Sequence, residues 1–127
     1  MNVLLVDDDD TILIVTKEML ADEGFDVATA KSFDDAVGVL DKGNIDIIIS
    51  DLMMPGVSGV ELLYKLRTYK IPIITMSGLS RDVVIDELLS ELGIAGVLQK
   101  PFMDNELIQC IRNSGLGGED QEELDTD

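Results

Sequence analysis

The feature that most constrains the fold of this chain is a regular alternation of short apolar runs with longer segments of helical periodicity. The apolar runs occupy residues 3–6, 25–28, 45–49, 71–74 and 94–98. They are rich in Ile, Val and Leu, which is typical of parallel strands buried on both faces. Repeated strand–helix units of this length predict a parallel sheet with helices on both sides.

The segments that follow the runs carry the signals of five helices. In the first, Ile12, Val15 and Met19 recur with helical spacing, and Gly24 suits the end of that helix. Capping signals predict where the other helices begin, because Ser and Asp side chains accept hydrogen bonds from the first free N–H groups. The expected capping residues are Ser32, Ser58, Ser80 and Asp104.

These elements predict an α/β fold of the flavodoxin-like, doubly wound type. We expect a five-stranded parallel sheet of order 2-1-3-4-5 with five helices, arranged in three layers as α/β/α. Right-handed crossovers place the C-terminal ends of all strands at one edge, where such folds bind ligands. The residues that follow each strand are therefore the candidate functional residues.

The periodic pattern ends near Ser114. With 127 residues, the chain has the length of one domain. Residues 1–114 are expected to form this domain. Residues 115–127 contain three glycines and six acidic residues with no base, which predicts a disordered acidic tail or the start of a linker.

Composition argues against several classes of function. The net charge of −17 disfavours direct binding to nucleic acid or to acidic membranes, since those affinities come mainly from Lys and Arg. The chain has no histidine, which removes Ser-His and Cys-His catalysis. Cys110 is the single cysteine, and no apolar run approaches the roughly 20 residues that span a bilayer. We therefore expect a cytoplasmic protein without an intramolecular disulfide.

Aspartates follow the first and third predicted strands. Asp7 and Asp8 come after the first strand and Asp51 ends the third, and these strands are neighbours in the predicted sheet. Three carboxylates in one pocket repel one another strongly, and a hard cation such as Mg²⁺ offsets that repulsion. Asp9 and Asp10 have a different expected role, because either could cap the helix that follows.

A hydroxyl and an ammonium group follow the fourth and fifth predicted strands. Ser77 stands before Gly78, and its hydroxyl could donate to a phosphoryl oxygen, although a Ser-Gly pair alone usually marks a turn. Lys100 precedes Pro101, which favours an extended backbone, and can act as a point charge on a phosphate. Neither signal is specific alone, but together with the aspartates they occupy the ends of four strands.

Three motifs together resemble the receiver domain of response regulators in two-component signalling. They are Val6-Asp7-Asp8, the stretch from Asp51 to Gly59 that begins Asp-Leu-Met-Met-Pro, and Lys100-Pro101-Phe102. The resemblance covers residues 2 to about 113. It implies Mg²⁺-dependent transfer of a phosphoryl group to the chain from a histidine kinase or phosphotransfer protein. It also implies that phosphorylation changes the surface formed by the fourth helix, the fifth strand and the fifth helix.

The resemblance assigns the metal site and the phosphoacceptor. It implies that Asp51 accepts the phosphoryl group and also contacts Mg²⁺, for which Mn²⁺ can substitute. Asp8 would bind the ion directly and Asp7 mainly through water. The backbone carbonyl of Met53 would complete the protein ligands.

The resemblance also assigns the groups that respond to the phosphoryl group. Ser77 and Lys100 would contact it, with Ser77 as a switch residue. Val97 stands where many members of the family carry a switching aromatic residue, so the usual aromatic response is absent. The alternative for Val97 is simple packing in the core.

Residues beside the phosphosite are implied to control the access of water. These are Met53, Gly78 and Leu79. Because Met53 and Leu79 are apolar, we expect them to slow hydrolysis of the phosphoryl group.

Three other functions fit these residues less well. A haloacid-dehalogenase-like phosphatase has an Asp-x-Asp-x-Thr motif, which Asp7, Asp9 and Thr11 match, but it leaves the Asp51 stretch unexplained. An inert receiver-like interaction module is a second alternative. A flavodoxin is disfavoured because carboxylates would occupy the place of the FMN phosphate.

Under the receiver interpretation the chain is not an enzyme for other substrates and catalyses only its own phosphorylation and dephosphorylation. Its downstream partner is a separate protein or a fused output domain, and it is a monomer or a phosphorylation-dependent dimer.

Overall fold

The computed structural model describes residues 1–52, 59–77, 90–91, 93–100 and 102–114. Several predictions therefore concern residues outside the described ones. These are most of the fourth predicted helix, the predicted caps Ser58 and Ser80, the acidic tail, and the phosphosite neighbours Met53, Gly78 and Leu79.

Five parallel strands form one sheet, as the sequence predicts. The strands are β1 (Asn2–Val6), β2 (Asp26–Ala30), β3 (Ile47–Asp51), β4 (Ile73–Ser77) and β5 (Gly96–Gln99). Their order is β2-β1-β3-β4-β5, and every neighbouring pair is parallel. The flavodoxin-like, doubly wound topology is thereby confirmed.

Four helices lie in the described part of the chain. They are α1 (Asp10–Asp22), α2 (Phe33–Asp41), α3 (Gly59–Arg67) and α4 (Asp104–Arg112), and α4 is the fifth of the predicted helices. Among the described residues, no helix combines the length and apolar character needed to cross a membrane.

The sheet separates two apolar clusters. One contains Leu40 of α2 and Leu63 of α3, packed with Ile48 of β3. The other contains Leu20 of α1 and Leu107 of α4, packed with residues of the same strand that point to the opposite face. This arrangement gives the three predicted layers, with α1 and α4 on one side and α2 and α3 on the other.

Four of the strands begin one or two residues later than the apolar runs that predict them. The first apolar residues of these runs are partly buried and pack against the core before the strand starts; they are Phe25, Ile45, Ile71 and Ile94. Pro72 precedes β4, where its carbonyl accepts a hydrogen bond from the Ile48 N–H at 2.9 Å. A residue without an N–H is tolerated there because it only needs to accept.

The capping predictions are partly confirmed. The Asp9 carboxylate caps α1, since its Oδ1 accepts hydrogen bonds from the N–H groups of Thr11 and Ile12. Ser32 caps α2 through the Asp35 N–H. After α1, Gly24 has a φ of +95°, which a glycine adopts without strain.

The capping prediction for Asp104 is wrong. Asp104 is the first residue of α4, and the residue before it, Met103, has no side-chain oxygen. Glu106 reaches back instead and accepts a hydrogen bond from the Met103 N–H at 2.6 Å. The free backbone donor is thus satisfied from within the first turn of the helix.

Candidate functional site

The C-terminal edge of the sheet brings together three carboxylates and one ammonium group. Val6 and Ser50 are register partners, so Asp7 and Asp51 leave β1 and β3 at the same level. Lys100 directly follows β5 and reaches across β4 to this position. Four residues from three distant parts of the chain thus meet at the edge where ligands bind in such folds.

Asp7 is fully buried and held by three protein contacts. Its backbone N–H donates to the carbonyl of Ala30 at 3.0 Å. Its Oδ1 accepts from the Asp9 N–H at 2.9 Å, and its Oδ2 accepts from the Lys100 ammonium at 2.8 Å. Both carboxylate oxygens are therefore already engaged by the protein, which fixes this side chain in one orientation.

Asp8 and Asp51 complete a cluster with the donor chemistry of a cation site. One carboxylate oxygen of each of Asp7, Asp8 and Asp51 lies within 4.8 Å of the others. Asp8 is exposed, whereas Asp51 is only 4% exposed. Three carboxylates around one point suit a small, hard cation such as Mg²⁺, and the exposed Asp8 leaves a path for its entry.

Lys100 is the cation that the protein itself supplies to this cluster. Its Nζ lies 2.8 Å from Oδ2 of Asp7 and 3.3 Å from Oδ2 of Asp51. Burial lowers the pKa of Lys100, but the hydrogen bond to Asp7 and the negative charges of Asp51 and Asp7 outweigh it. The pKa of Lys100 therefore lies above its usual value, so the side chain is charged at neutral pH.

The remaining aspartates of the Asp7–Asp10 run have structural roles, and the predicted cap is Asp9. Asp9 caps α1, and Asp10 forms an exposed ion pair with Lys31 at 2.8 Å. The hydrogen bond to Asp10 raises the pKa of Lys31, and the charges of Asp10, Asp35 and Asp8 add to this effect. Lys31 follows β2 at the same edge and adds positive charge beside the cluster.

Ser77 is the one candidate site residue on a described strand for which only the backbone position is described. Ser77 is the last residue of β4, and its register partner is Gln99, the residue before Lys100. The strand therefore ends at the functional edge, as predicted. Val97 is half-buried and packs against the apolar cluster on the α2 and α3 side.

Thr75 is a neighbour of the site that the sequence does not reveal. It lies between Ser50 and Val97 in the register of the sheet and is fully buried. Among the residues that the structure describes, its hydroxyl has no hydrogen-bond partner. In the sequence, Thr75 looks like an ordinary residue of a β-branched strand. The only hint of its special position is that the strand is predicted to be buried on both faces, where a hydroxyl is unusual.

The orphaned hydroxyl predicts that Thr75→Val stabilises the domain. Valine keeps the shape of the side chain and removes the cost of an unsatisfied buried donor, so the free energy of unfolding should rise by about 1–2 kcal/mol. Urea unfolding of the two proteins measures this difference. Thr75→Ser is the control, because it keeps the hydroxyl and loses a buried methyl group, and should lower stability. A loss of stability in Thr75→Val would mean that the hydroxyl is already satisfied.

Comparisons with known proteins agree with this geometry. Residues 3–112 match the family model described as "Response regulator receiver domain". The transcriptional regulatory protein CpxR of Escherichia coli K12 is 40% identical over 112 residues, which cover 87% of this chain and 47% of CpxR. The probable transcriptional regulator ycf29 of Pyropia yezoensis is 39% identical, with 87% of this chain and 51% of that protein covered. The chain thus spans about half the length of the curated relatives it matches.

Solved structures show the same fold over nearly their whole length. The chemotaxis protein CheY4 of Vibrio cholerae superposes with a TM-score of 0.82 at 30% identity, covering 89% of this chain and 97% of CheY4. The response regulator protein TrrA of Thermotoga maritima, solved in complex with Mg²⁺ and BeF, superposes with a TM-score of 0.77 at 30% identity, with the same coverage of both chains. Motifs, fold and sequence similarity agree, and the chain belongs to the response regulator receiver domain family, the phosphoacceptor switches of two-component signalling.

Proposed function

We propose that Asp51 is the phosphoacceptor of this receiver domain. The observation that carries the proposal is the position of its carboxylate, which is nearly buried, clustered with two further carboxylates and 3.3 Å from the Lys100 ammonium. An oxygen of Asp51 attacks the phosphorus, and the P–N bond to a histidine of the donor breaks. Water later attacks the same phosphorus, which releases phosphate and restores the carboxylate. A mass gain of one phosphoryl group, with a small phosphodonor and Mg²⁺, tests the proposal.

The donor set supports Mg²⁺ as the cofactor, with Mn²⁺ as a substitute. Bound at this edge, the ion would neutralise charge on the transferring phosphoryl group. Asp8 and Asp51 would hold it directly. Both oxygens of Asp7 are already engaged by Lys100 and the Asp9 N–H, which supports a contact through water for Asp7. The backbone carbonyl of Met53, outside the described residues, remains the fourth proposed ligand.

Lys100 and Ser77 are proposed to hold the phosphoryl group. The Lys100 ammonium already lies between Asp7 and Asp51, so a short movement toward a phosphorylated Asp51 would pair it with the new oxygens. Ser77 ends the neighbouring strand and would supply a hydroxyl donor. The new pairing favours one of two pre-existing conformations, and the resulting shift changes the surface around β5 and α4.

The metal proposal predicts that Asp8→Asn weakens Mg²⁺ binding while leaving the fold intact. The substitution removes one carboxylate from the exposed side of the cluster, so the dissociation constant should rise about tenfold or more, which corresponds to 1.4 kcal/mol. The Mg²⁺ dependence of the melting temperature, or calorimetric titration, measures the change.

Asp9→Asn is the matched control for this experiment. It removes the same charge from the neighbouring residue, and asparagine caps a helix as well as aspartate does. Mg²⁺ affinity should change little in this variant. Equal losses in the two variants would show that only the general negative charge attracts the ion, and would contradict Asp8 as a ligand.

The region beside Lys100 suits the approach of a phosphodonor protein. An apolar pocket of about 540 Å³ lies between α1 and the start of α4, next to the Lys100 side chain. Its apolar lining includes Ile12, Val15 and Phe102. We infer that the kinase or phosphotransfer protein docks here, where its phosphohistidine can reach Asp51.

Further properties belong to the same proposal. The chain acts in the cytoplasm and catalyses only its own phosphorylation and dephosphorylation. Its output reaches a downstream protein or a fused output domain, as the names of the curated relatives suggest for those proteins. Dimerisation on phosphorylation is an open alternative to a monomeric switch, and light scattering before and after phosphorylation distinguishes them.

A further inference from the structure

We propose that the chain's own acidic segment, residues 119–127, binds a basic cluster formed by Lys42, Arg67 and Lys70. The cluster lies at the edge of the sheet opposite the carboxylate cluster. The segment lies outside the described residues and carries six acids and no base. This inference goes beyond the phosphoacceptor function and does not depend on it.

The basic cluster lies where α2 and α3 end. Each of these helices starts after one strand and returns to the beginning of the next, so both end at the edge where β3 and β4 begin. The Tyr69 hydroxyl donates to Oδ1 of Asp41 at 3.1 Å and joins the two ends. Lys42 directly follows Asp41, and Lys70 directly follows Tyr69. The bonded pair therefore keeps both lysines at the same end of the domain.

The three bases of the cluster are exposed, and the protein does not neutralise them by ion pairing. Within the part of the chain that the structure describes, none of Lys42, Arg67 and Lys70 forms an ion pair. The nearby carboxylate of Asp41 accepts instead from an uncharged donor, the Tyr69 hydroxyl. The cluster thus leaves positive charge available to an acidic ligand.

The backbone at Lys70 argues that its charge serves more than the helix. Lys70 has a φ of +59°, and its N–H donates to the carbonyl of Arg67 at 2.9 Å. After a helix, this left-handed conformation favours glycine, which adopts it without strain. The helix dipole accounts for Arg67 in the last turn of α3, but its effect declines beyond that turn. A lysine at the strained position is better explained by a ligand of opposite charge.

The acidic segment starts at the correct edge and is long enough to reach the cluster. The last helix, α4, begins next to the functional edge and ends with Arg112 at the opposite edge, where α2 and α3 also end. An extended chain covers about 3.3 Å per residue, so residues 115–127 can span about 40 Å. A domain of this size has a radius of gyration of about 13 Å. The segment can therefore pass below the sheet to the α2 and α3 side.

Charge and tethering both favour this occupant. Asp22 and Glu23 end α1 at the same edge, on the α4 side of the sheet, and repel the segment. The basic cluster attracts it on the other side. Single exposed ion pairs contribute little, but several acids of one tethered segment act at a high effective concentration. A second copy would offer the same acids without the tether, so its binding would depend on protein concentration.

A spin label on the segment tests the proposal in the full chain. The label is attached at Gln121→Cys in a Cys110→Ala background, which leaves a single thiol. Line broadening of backbone amide signals shows which residues the label approaches. At about 20 mM salt, the amides of Lys42, Arg67 and Lys70 should broaden. At about 1 M salt, where the screening length is about 3 Å, this broadening should fall at least about threefold.

Two triple variants separate the cluster from the general charge of the chain. The first neutralises the cluster, by Lys42→Gln, Arg67→Gln and Lys70→Gln. The second makes the same charge change at exposed lysines elsewhere, by Lys17→Gln, Lys31→Gln and Lys65→Gln. Broadening at positions 42, 67 and 70 should fall at least about threefold in the first variant and by much less in the second. Melting temperatures show whether each variant is folded.

Several outcomes would overturn the proposal. They are no broadening at the cluster, broadening that salt leaves unchanged, and equal losses in the two triple variants. A mixture of isotope-labelled chains without the spin label and spin-labelled chains without the isotope detects contacts between molecules. Broadening of the cluster amides in this mixture, as strong as in the doubly labelled chain, would identify a second copy as the source of the segment and contradict binding within one chain.

Discussion

Replacing Asp51 with asparagine should abolish covalent phosphorylation of the chain. Asparagine has the same shape, but its amide oxygen is not an anionic nucleophile and cannot form an acyl phosphate. Incubation with a small phosphodonor and Mg²⁺, followed by intact mass measurement, should show the added phosphoryl group in the original chain and none in Asp51→Asn. The expected loss is complete, because Asp51 is the only nucleophile in the proposed reaction.

Asp7→Asn is the informative counterpart of this variant. In a haloacid-dehalogenase-like phosphatase, the first aspartate of the Asp7–Thr11 motif would be the nucleophile, and Asp7→Asn would be unphosphorylated. In the receiver domain, Asp7 only helps to hold the metal and Lys100, so Asp7→Asn should be phosphorylated more slowly but still gain the mass. The structure supports this expectation, because both oxygens of Asp7 are engaged and its side chain is fully buried.

Location of the modification completes the test. Hydroxylamine cleaves acyl phosphates, so the mass gain should disappear on its addition, and peptide mapping should place the label in the segment that contains Asp51. A label that persists in Asp51→Asn, or that maps to Asp7, would contradict the proposed chemistry.

The sequence was sufficient to predict the edge where the site lies. The apolar runs determine the strands, and parallel topology brings every strand end to one edge. Asp7, Asp8 and Asp51 meet there as expected, and Lys100 joins them. Few alternatives remained, because the residues that directly follow parallel strands all lie at that edge.

Other contacts could not be predicted, because they depend on packing between distant residues. Lys100 is closer to Asp7 than to Asp51, and 93 positions separate the bonded pair in the sequence. The orphaned hydroxyl of Thr75 depends on which neighbours the sheet places beside it. The cap of α4 depends on whether Glu106 or Asp104 reaches the free N–H, and both are plausible from the sequence alone.

Replacing Lys100 with methionine should destabilise the metal-free domain strongly and make its stability depend on Mg²⁺. Methionine keeps most of the length of the side chain and removes its charge. The fully buried Asp7 then loses the ammonium at 2.8 Å, and Asp51 loses the one at 3.3 Å. Removal of one partner from a buried ion pair leaves an uncompensated charge, so the free energy of unfolding should fall by about 3 kcal/mol.

Added Mg²⁺ should restore much of the stability that Lys100→Met loses. A ligand that binds only the folded state stabilises it, by an amount that grows as its dissociation constant falls. Without the Lys100 ammonium, the ion no longer competes with it for Asp7 and Asp51, so it should bind the variant more tightly. The increase in unfolding free energy on adding Mg²⁺ should therefore be larger in Lys100→Met than in the original chain.

Lys31→Met is the matched control, since it removes the other lysine at this edge. The pair of Lys31 with Asp10 is exposed on both sides, so water screens it and its loss should change stability little. The increase in unfolding free energy on adding Mg²⁺ should also stay close to that of the original chain.

If both lysine variants responded equally to Mg²⁺, the effect would come from the overall charge of the edge. If Lys100→Met were as stable as the original chain without metal, the ammonium would not be the internal counter-ion of the carboxylate cluster. The two variants together therefore separate a specific role of Lys100 from the general field of an acidic protein.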